Sequence, residues 1–232
     1  MAKTFTKIGK EITIAVKQGG PDVVGNSRLR ALMAEARSEN MPKDNVEKAI
    51  KRALEKNQGD FKEVVFEGYG PHGIAYLVET ATDNNTRTVA NVRSYFTKCG
   101  GSLGTSGSVS FMFDHKCVFR IKYQEGMDID ELQLALCECD DDPEVFIEEQ
   151  EDKDENITKN VVIYGAYESY GAIQKYIEDN GYELVSGGFE RIPNVDLKDV
   201  TPEQRETLDK LTGLLEDDDD VTNVYSTLKP EE

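Results

Sequence analysis

Between Cys117 and Phe189 the apolar pattern alternates between the period of a strand and that of a helix, and this order constrains the chain more than any other feature. Cys117 to Tyr123 is strand-like. Asp128-Ile129-Asp130-Glu131 opens a helix in the manner of a capping box, with Leu132, Ala135 and Leu136 following on one face. Val145-Phe146-Ile147 and Val161-Val162-Ile163-Tyr164 read as strands, residues 166–179 as a helix, and Tyr182 to Phe189 as a last strand. The order βαββαβ is the split ferredoxin-like unit, complete in itself. The flanks must then be completed without it. Before it, Val64-Val65-Phe66 and Ile74 to Val78 are strand-like, joined through Gly68-Tyr69-Gly70-Pro71-His72-Gly73. Asp83-Asn84-Asn85 caps a helix over 86–98, closed by Gly100 and Gly101, and Ser108 to Phe113 reads as a further strand. After it, Thr201-Pro202-Glu203-Gln204 opens a helix carrying Leu208, Leu211, Leu214 and Leu215, and Val221 to Tyr225 closes as a strand. Residues 115–190 are therefore expected to be inserted into a discontinuous α/β domain made of 60–114 plus 191–232.

The first 59 residues differ in kind. Phe5, Ile8, Ile12 and Val16 recur at helical spacing, with Lys3, Lys7, Lys10 and Lys17 opposite them. Gly19-Gly20-Pro21-Asp22 breaks that helix. A second runs from Ser27 to Asn40 on Leu29, Leu32, Met33 and Ala36, and a third buries Val46, Ala49, Ile50, Ala53 and Leu54 before Gly59 ends it. The predicted class is α+β: an N-terminal three-helix domain followed by two ferredoxin-like α/β domains, the second inserted into the first.

Charge follows the same division. The net charge is −18, yet residues 1–58 hold 12 Lys and Arg against 7 Asp and Glu, while residues 115–232 hold 11 against 32. A basic head and an acidic remainder imply different partners for the two, with nucleic acid the candidate for the head. No apolar run is long enough to span a membrane, and Met1 to Phe5 lacks the pattern of a signal peptide. Cys99, Cys117, Cys137 and Cys139 are accordingly expected to be reduced thiols in a cytoplasmic protein.

The motifs for chemistry are weak. Gly68-x-Gly70-x-x-Gly73 is followed by a strand rather than a helix, so it reads as a hairpin connection and not as a dinucleotide fingerprint. Cys137-x-Cys139 lacks metal-site spacing, and Asp217 to Asp220 lacks the spaced oxygens of a calcium loop and reads as a solvated acidic loop. No nucleophile–base constellation is visible, so neither an enzyme nor a cofactor or metal protein is expected. Two stretches remain. Arg87, Asn91 and Ser94 fall on one helix face, and Gly100 to Ser108 is rich in hydroxyls and N–H groups that either approach a phosphate backbone or merely form a long turn.

Taken together, Gly19-Gly-Pro-Asp22, Asn26-Ser-Arg-Leu-Arg30, Asn40-Met-Pro-Lys-Asp-Asn45, Gly68-Tyr-Gly-Pro71, Thr82-Asp-Asn84, Arg87-Thr-Val89, Phe96-Thr-Lys98, Gly104-Thr-Ser-Gly-Ser-Val-Ser110, Phe113-Asp114 and Leu215 through Tyr225 resemble the YebC family, in order along nearly the whole chain. The resemblance implies three domains and no bond-making chemistry. It also implies a probable transcriptional regulatory protein, similar to a mitochondrial translational activator of cytochrome c oxidase and to bacterial relatives linked to relief of ribosome stalling. Many relatives carry a short basic segment with Trp ahead of Phe5-Thr6-Lys7; here Met1 stands four residues before Phe5, and there is no Trp. His72 stands where relatives commonly carry Gly.

The expected function is a non-enzymatic, nucleic-acid-binding regulator of gene expression, with DNA binding implied by the transcriptional label of the family it resembles. A ribosome-associated translation factor bound to ribosomal RNA is the alternative, and an acidic protein-interaction module the second. Lys3, Lys7, Lys10, Arg28, Arg30 and Lys43 would neutralise phosphates, with Arg87, Arg93 and Lys98 extending the track. A monomer or weak dimer is expected. No signature of a helix that reads base edges is present.

Overall fold

The computed structural model describes residues 2–55, 60–151 and 157–231. Three helices come first: α1 (Ala2–Gly19), α2 (Ser27–Ser38) and α3 (Lys43–Leu54). The end of α3 expected at Gly59 lies outside the described residues. α1 buries Ile8, Ile12 and Val16, as its spacing predicts. It stops where Gly20 adopts φ +83. The turn to α2 is held by one buried side chain. The Asn26 Oδ1 accepts from the Leu29 N–H at 3.0 Å, capping α2, while its Nδ2 donates to the carbonyls of Ala15 and Gly20, each at 2.8 Å. A Cβ on Gly19 would stand 2.7 Å from that Nδ2, so Gly19 is required by the approach of Asn26.

The rest of the chain is β1 (Lys62–Tyr69), β2 (Ala75–Thr82), α4 (Asn85–Lys98), β3 (Ser102–Leu103), β4 (Phe113–Lys122), α5 (Ile129–Leu136), β5 (Glu144–Glu151), β6 (Ile157–Ala166), α6 (Tyr170–Asp179), β7 (Leu184–Pro193), α7 (Pro202–Glu216) and β8 (Val221–Ser226). Two four-stranded antiparallel sheets result, ordered β3-β1-β2-β8 and β5-β6-β4-β7. The second sheet, with α5 and α6, is wound as the split βαββαβ unit. The first keeps the same plan of helices on one face of an antiparallel sheet, but its β1–β2 hairpin sits in the centre.

The chain groups into two compact units, Met1–Ile14 with Lys48–Asp114 and Arg191–Glu232, and Ala15–Glu47 with His115–Glu190. The helical residues are therefore shared between the two units. In the first, Phe66, Tyr76, Val78 and Phe96 pack under Leu208, Leu211 and Leu215, with Tyr76 and Phe96 edge to face at 5.9 Å. In the second, Phe119, Ile121, Leu136, Ile163, Ile173 and Ile177 form the centre, and Ala31 of α2 joins them. No helix among the described residues is long and apolar enough to cross a membrane.

Local signals place the helix starts. Asn84 caps α4 through the Arg87 N–H, Asp128 caps α5 through the Glu131 N–H, and Thr201 with Gln204 makes a reciprocal capping box. One expected strand is corrected. Residues 108–112 are not a strand: a loop and a short 3₁₀ turn at Ser110–Met112 lead into β4, and of the stretch between α4 and β4 only Ser102–Leu103 pairs with β1. The Glu67 carboxylate diverts the N–H groups that a ladder would need, as described below.

Candidate nucleic-acid interface

In the first unit the acidic loop 217–220 meets the lysine side of α1. Lys3 Nζ lies 2.6 Å from Asp217 Oδ1. Lys7 Nζ donates to the Glu216 carbonyl at 3.0 Å. Lys10 donates to the carbonyls of Ala81 and Asp219 and to Asp220 Oδ1, the last at 2.8 Å. The other Asp220 oxygen accepts from Arg87 at 2.6 Å, from Thr88 at 2.9 Å and from Thr82 at 3.2 Å. Asp220 is buried, and these donors overcome the penalty of burial and hold its carboxyl down to about 2. Asp218 accepts from Asn91 at 3.0 Å and from Tyr95 at 2.9 Å. Burial and that carboxylate push the Tyr95 hydroxyl up to about 12.

The loop is thus a structural clamp and not a solvated acidic run. A series of aspartates looks like a surface feature in sequence because its partners lie more than a hundred residues away. Burial holds the Lys7 ammonium below the usual lysine range, with the nearby carboxylates pulling the other way. The groove beside the clamp measures about 540 Å³ and is lined by Thr6, Lys10, Arg52, Phe61, Asp83, Arg87, Asn91, Tyr95 and Asp217 to Asp220. A nucleotide-sized group would fit by volume. Its carboxylates, however, make it a poor seat for phosphate.

A second buried carboxylate organises the hydroxyl-rich loop. Glu67 on β1 accepts from the N–H groups of Gly107 at 2.7 Å and of Val109 and Ser110, each at 2.8 Å. Burial opposes ionisation, but these bonds outweigh it and hold the carboxyl below its usual range. The Gly104 N–H goes to the Glu67 carbonyl at 2.7 Å. The N–H groups that could have cradled a phosphate are therefore turned inward. What the loop offers outward is Thr105, Ser106 and the side chain of Phe111, which is 65% exposed.

The remaining predicted cations divide. In the second unit Arg30 pairs with Glu178 at 2.7 Å and Arg28 donates to Gln18 at 3.1 Å. Lys43 is exposed at the start of α3. On α4, Arg93 and Lys98 are exposed, and Lys98 lies 5.8 Å from the centre of the Tyr95 ring. Arg87 and Asn91, expected on an open face of α4, are held by Asp220 and Asp218. Among the described residues no group of three or more His, Cys, Asp or Glu is placed to hold a metal ion. The residues that sequence reasoning missed are Glu67, Asp218 and Asp220.

The comparisons with known proteins agree along the chain. Residues 1–56 match the model of the TACO1/YebC protein N-terminal domain, and residues 61–228 that of the TACO1/YebC second and third domain. The chain belongs to the TACO1/YebC family. Among its relatives, a protein of Parabacteroides distasonis is 58% identical over 232 residues, covering 100% of this chain and 91% of that one. One of Flavobacterium johnsoniae is 54% identical over 231 residues, covering 100% and 92%. Both are named probable transcriptional regulatory proteins. The crystal structure of a conserved hypothetical protein from Aquifex aeolicus superposes with a TM-score of 0.80 at 33% identity, over 100% of this chain and 91% of that one.

Proposed function

We propose that the chain is a non-enzymatic, nucleic-acid-binding regulator of gene expression that works in the cytoplasm. The observation that carries this reading is that two cations of α4, Arg93 and Lys98, stand in solvent while Arg87 of the same helix is already neutralised. The regulatory name shared by relatives along the whole chain supports it. Lys43 on α3 adds a further exposed cation. In this reading Lys3, Lys7 and Lys10 act through the clamp that shapes the first unit. They do not serve as the first phosphate contacts.

One observation favours structured RNA over a base-reading complex with duplex DNA. Arg and Asn are the side chains best suited to base edges in the major groove. Two α4 side chains with that chemistry, Arg87 and Asn91, are spent on Asp220 and Asp218, which leaves Arg93 as the unspent arginine of that helix. Contacts from the remaining cations are to phosphates and carry little sequence choice.

The test is a salt titration of affinity for a structured RNA hairpin and for a DNA duplex of equal length. In R93A/K98A both affinities should fall and the logarithmic salt slope should drop by about 1.5, since each lost phosphate contact removes about 0.7 to 0.9. An unchanged slope in that variant, or a larger drop in K3A/K7A than in R93A/K98A, would reject the assignment. Tighter binding to the duplex than to the hairpin would return the reading to DNA.

A further inference from the structure

The second unit ends, on one side, in an open sheet edge. In the order β5-β6-β4-β7, β5 is outermost, and among the described residues it pairs only with β6, from Glu144 opposite Tyr164 to Glu149 opposite Lys159 and beyond. Exposed strand edges template the addition of another strand, and proteins blunt them with charged side chains, Lys above all, with Pro or with a bulge; the charges on β5 are all carboxylates, which a cationic strand would meet favourably. The β5 sequence, Glu144-Val-Phe-Ile-Glu-Glu-Gln-Glu151, contains neither Lys nor Pro. Two large apolar side chains stay in solvent on it, Phe146 at 43% and Ile147 at 40% exposed, and neighbours in a strand point to opposite faces. On α5, which packs against β5, Leu134 is 73% exposed.

Charge selects the occupant. Residues 124–156 contain 15 Asp and Glu and one Lys. The cations that partly balance β5 come from the strands behind it: Lys116 and Arg120 of β4 pair with Glu144 and Glu148, and Lys159 of β6 pairs with Glu149. A second copy of β5 would set these glutamates against themselves, and like charges opposed across strands are destabilising. A nucleic-acid backbone is repelled for the same reason.

We propose that the open edge of β5 takes an extended, lysine- or arginine-rich segment of a partner protein as an added strand. Main-chain hydrogen bonds supply the affinity, and alternate side chains supply the choice. The partner's cations lie along the carboxylates, and its apolar residues cover Phe146 and Ile147. The surface belongs to the second unit alone, so the assignment stands apart from the nucleic-acid reading of α4.

The experiment uses the full chain and a short synthetic peptide of alternating Lys and Val. A control peptide of the same sequence is N-methylated at alternate residues, which keeps the charge and blocks strand pairing. Fluorescence anisotropy gives affinity at low and high salt, and hydrogen exchange maps protection. The unmodified peptide is expected to bind, to protect amides in Phe146 to Glu149, and to lose about tenfold affinity on N-methylation. E144K/E149K changes two exposed side chains and should weaken binding by a similar factor, with the circular dichroism of the fold unaltered. Equal binding of both peptides would reduce the surface to charge adhesion and overturn the proposal. So would protection elsewhere on the chain, an absence of binding, or self-association of the protein that E144K/E149K abolishes.

Discussion

Replacing Asp220 by Asn tests whether the clamp holds the first unit together. The wild-type carboxyl sits at about 2, against 3.8 for an ordinary aspartate. That difference corresponds to about 2.5 kcal/mol of stabilisation at neutral pH, since each tenfold change in the ionisation constant is worth about 1.4 kcal/mol. The amide also leaves the Lys10 ammonium, whose side chain is only 11% exposed, without its carboxylate. Removing one partner of a buried pair typically costs about 3 to 5 kcal/mol. Carbonyl bonds to Ala81 and Asp219 soften that loss, so about 3 kcal/mol is expected. The pH dependence follows from the sign of the shift. A carboxyl held low in the folded state stabilises above its unfolded value, near 4, and that stabilisation is lost as pH falls from about 4 to about 2. The gap between wild type and D220N should therefore shrink by most of its size between pH 6 and that range. Because each unit has its own core, whole-chain melting blends two transitions. Native-state hydrogen exchange at the β2 and β8 amides isolates the first unit. A gap under about 1 kcal/mol at neutral pH, or one that stays constant as acid is added, would refute the clamp.

Three further outcomes are expected. Glu67→Gln keeps the shape but gives up the charge that three N–H groups share, so the amides of Gly107, Val109 and Ser110 should lose about 2 kcal/mol of protection while β2 does not. Equal loss in both places would mean that Glu67 supports the sheet and not the loop. His72 adopts φ +63 at the β1–β2 connection, which costs a side chain about 1 kcal/mol, so His72→Gly should raise stability by a few tenths of a kcal/mol despite its looser unfolded chain. A destabilised variant in urea unfolding would show that the imidazole makes compensating contacts. Burial pushes the Cys117 thiol up to about 11, whereas Cys137 is exposed, so maleimide at mild alkaline pH should label Cys137 well ahead of Cys117. Comparable rates at the two positions, read by peptide mass, would contradict the packing around Cys117.

How much of this could be read beforehand depends on how local each signal is. The helix caps at Asn84, Asp128 and Thr201 were legible because the capping side chain and the N–H it receives lie within three residues. The split βαββαβ winding was legible because each element carries its own period. Residues 108–113 misled because Val109, Phe111 and Phe113 alternate as a strand does, while the acceptor that bends them, Glu67, is some forty residues away. One signal was present: a carboxylate that directly follows the apolar run Val64-Val65-Phe66 and is buried with it has to be satisfied by donors that the strand itself does not supply. Asn26 was similar. Its cap on α2 is local, but its two other bonds, to Ala15 and Gly20, become visible only when the chain turns back on itself.

Charge segregation along the sequence is not charge segregation in space. The head is basic and the tail acidic, and this suggested that the lysines of α1 were free for phosphate. The fold spends them on the tail. Lys3, Lys7 and Lys10 reach residues 216–220 across some two hundred positions, and Arg87 of α4 joins Lys10 on the same buried carboxylate. A phosphate competing for Lys10 or Arg87 would have to leave Asp220 ionised and unpaired in a buried place, which opposes the exchange by kilocalories. A phosphate approaching Arg93 or Lys98 displaces only water and counterions. The cations that remain useful for binding are therefore the ones that the clamp does not reach, and they stand on a helix whose buried side packs on the sheet through Val92 and Phe96. The same logic makes the proposed nucleic-acid surface compatible with an acidic chain: most of its net negative charge lies in the second unit, and in the first the carboxylates nearest the cations are already committed.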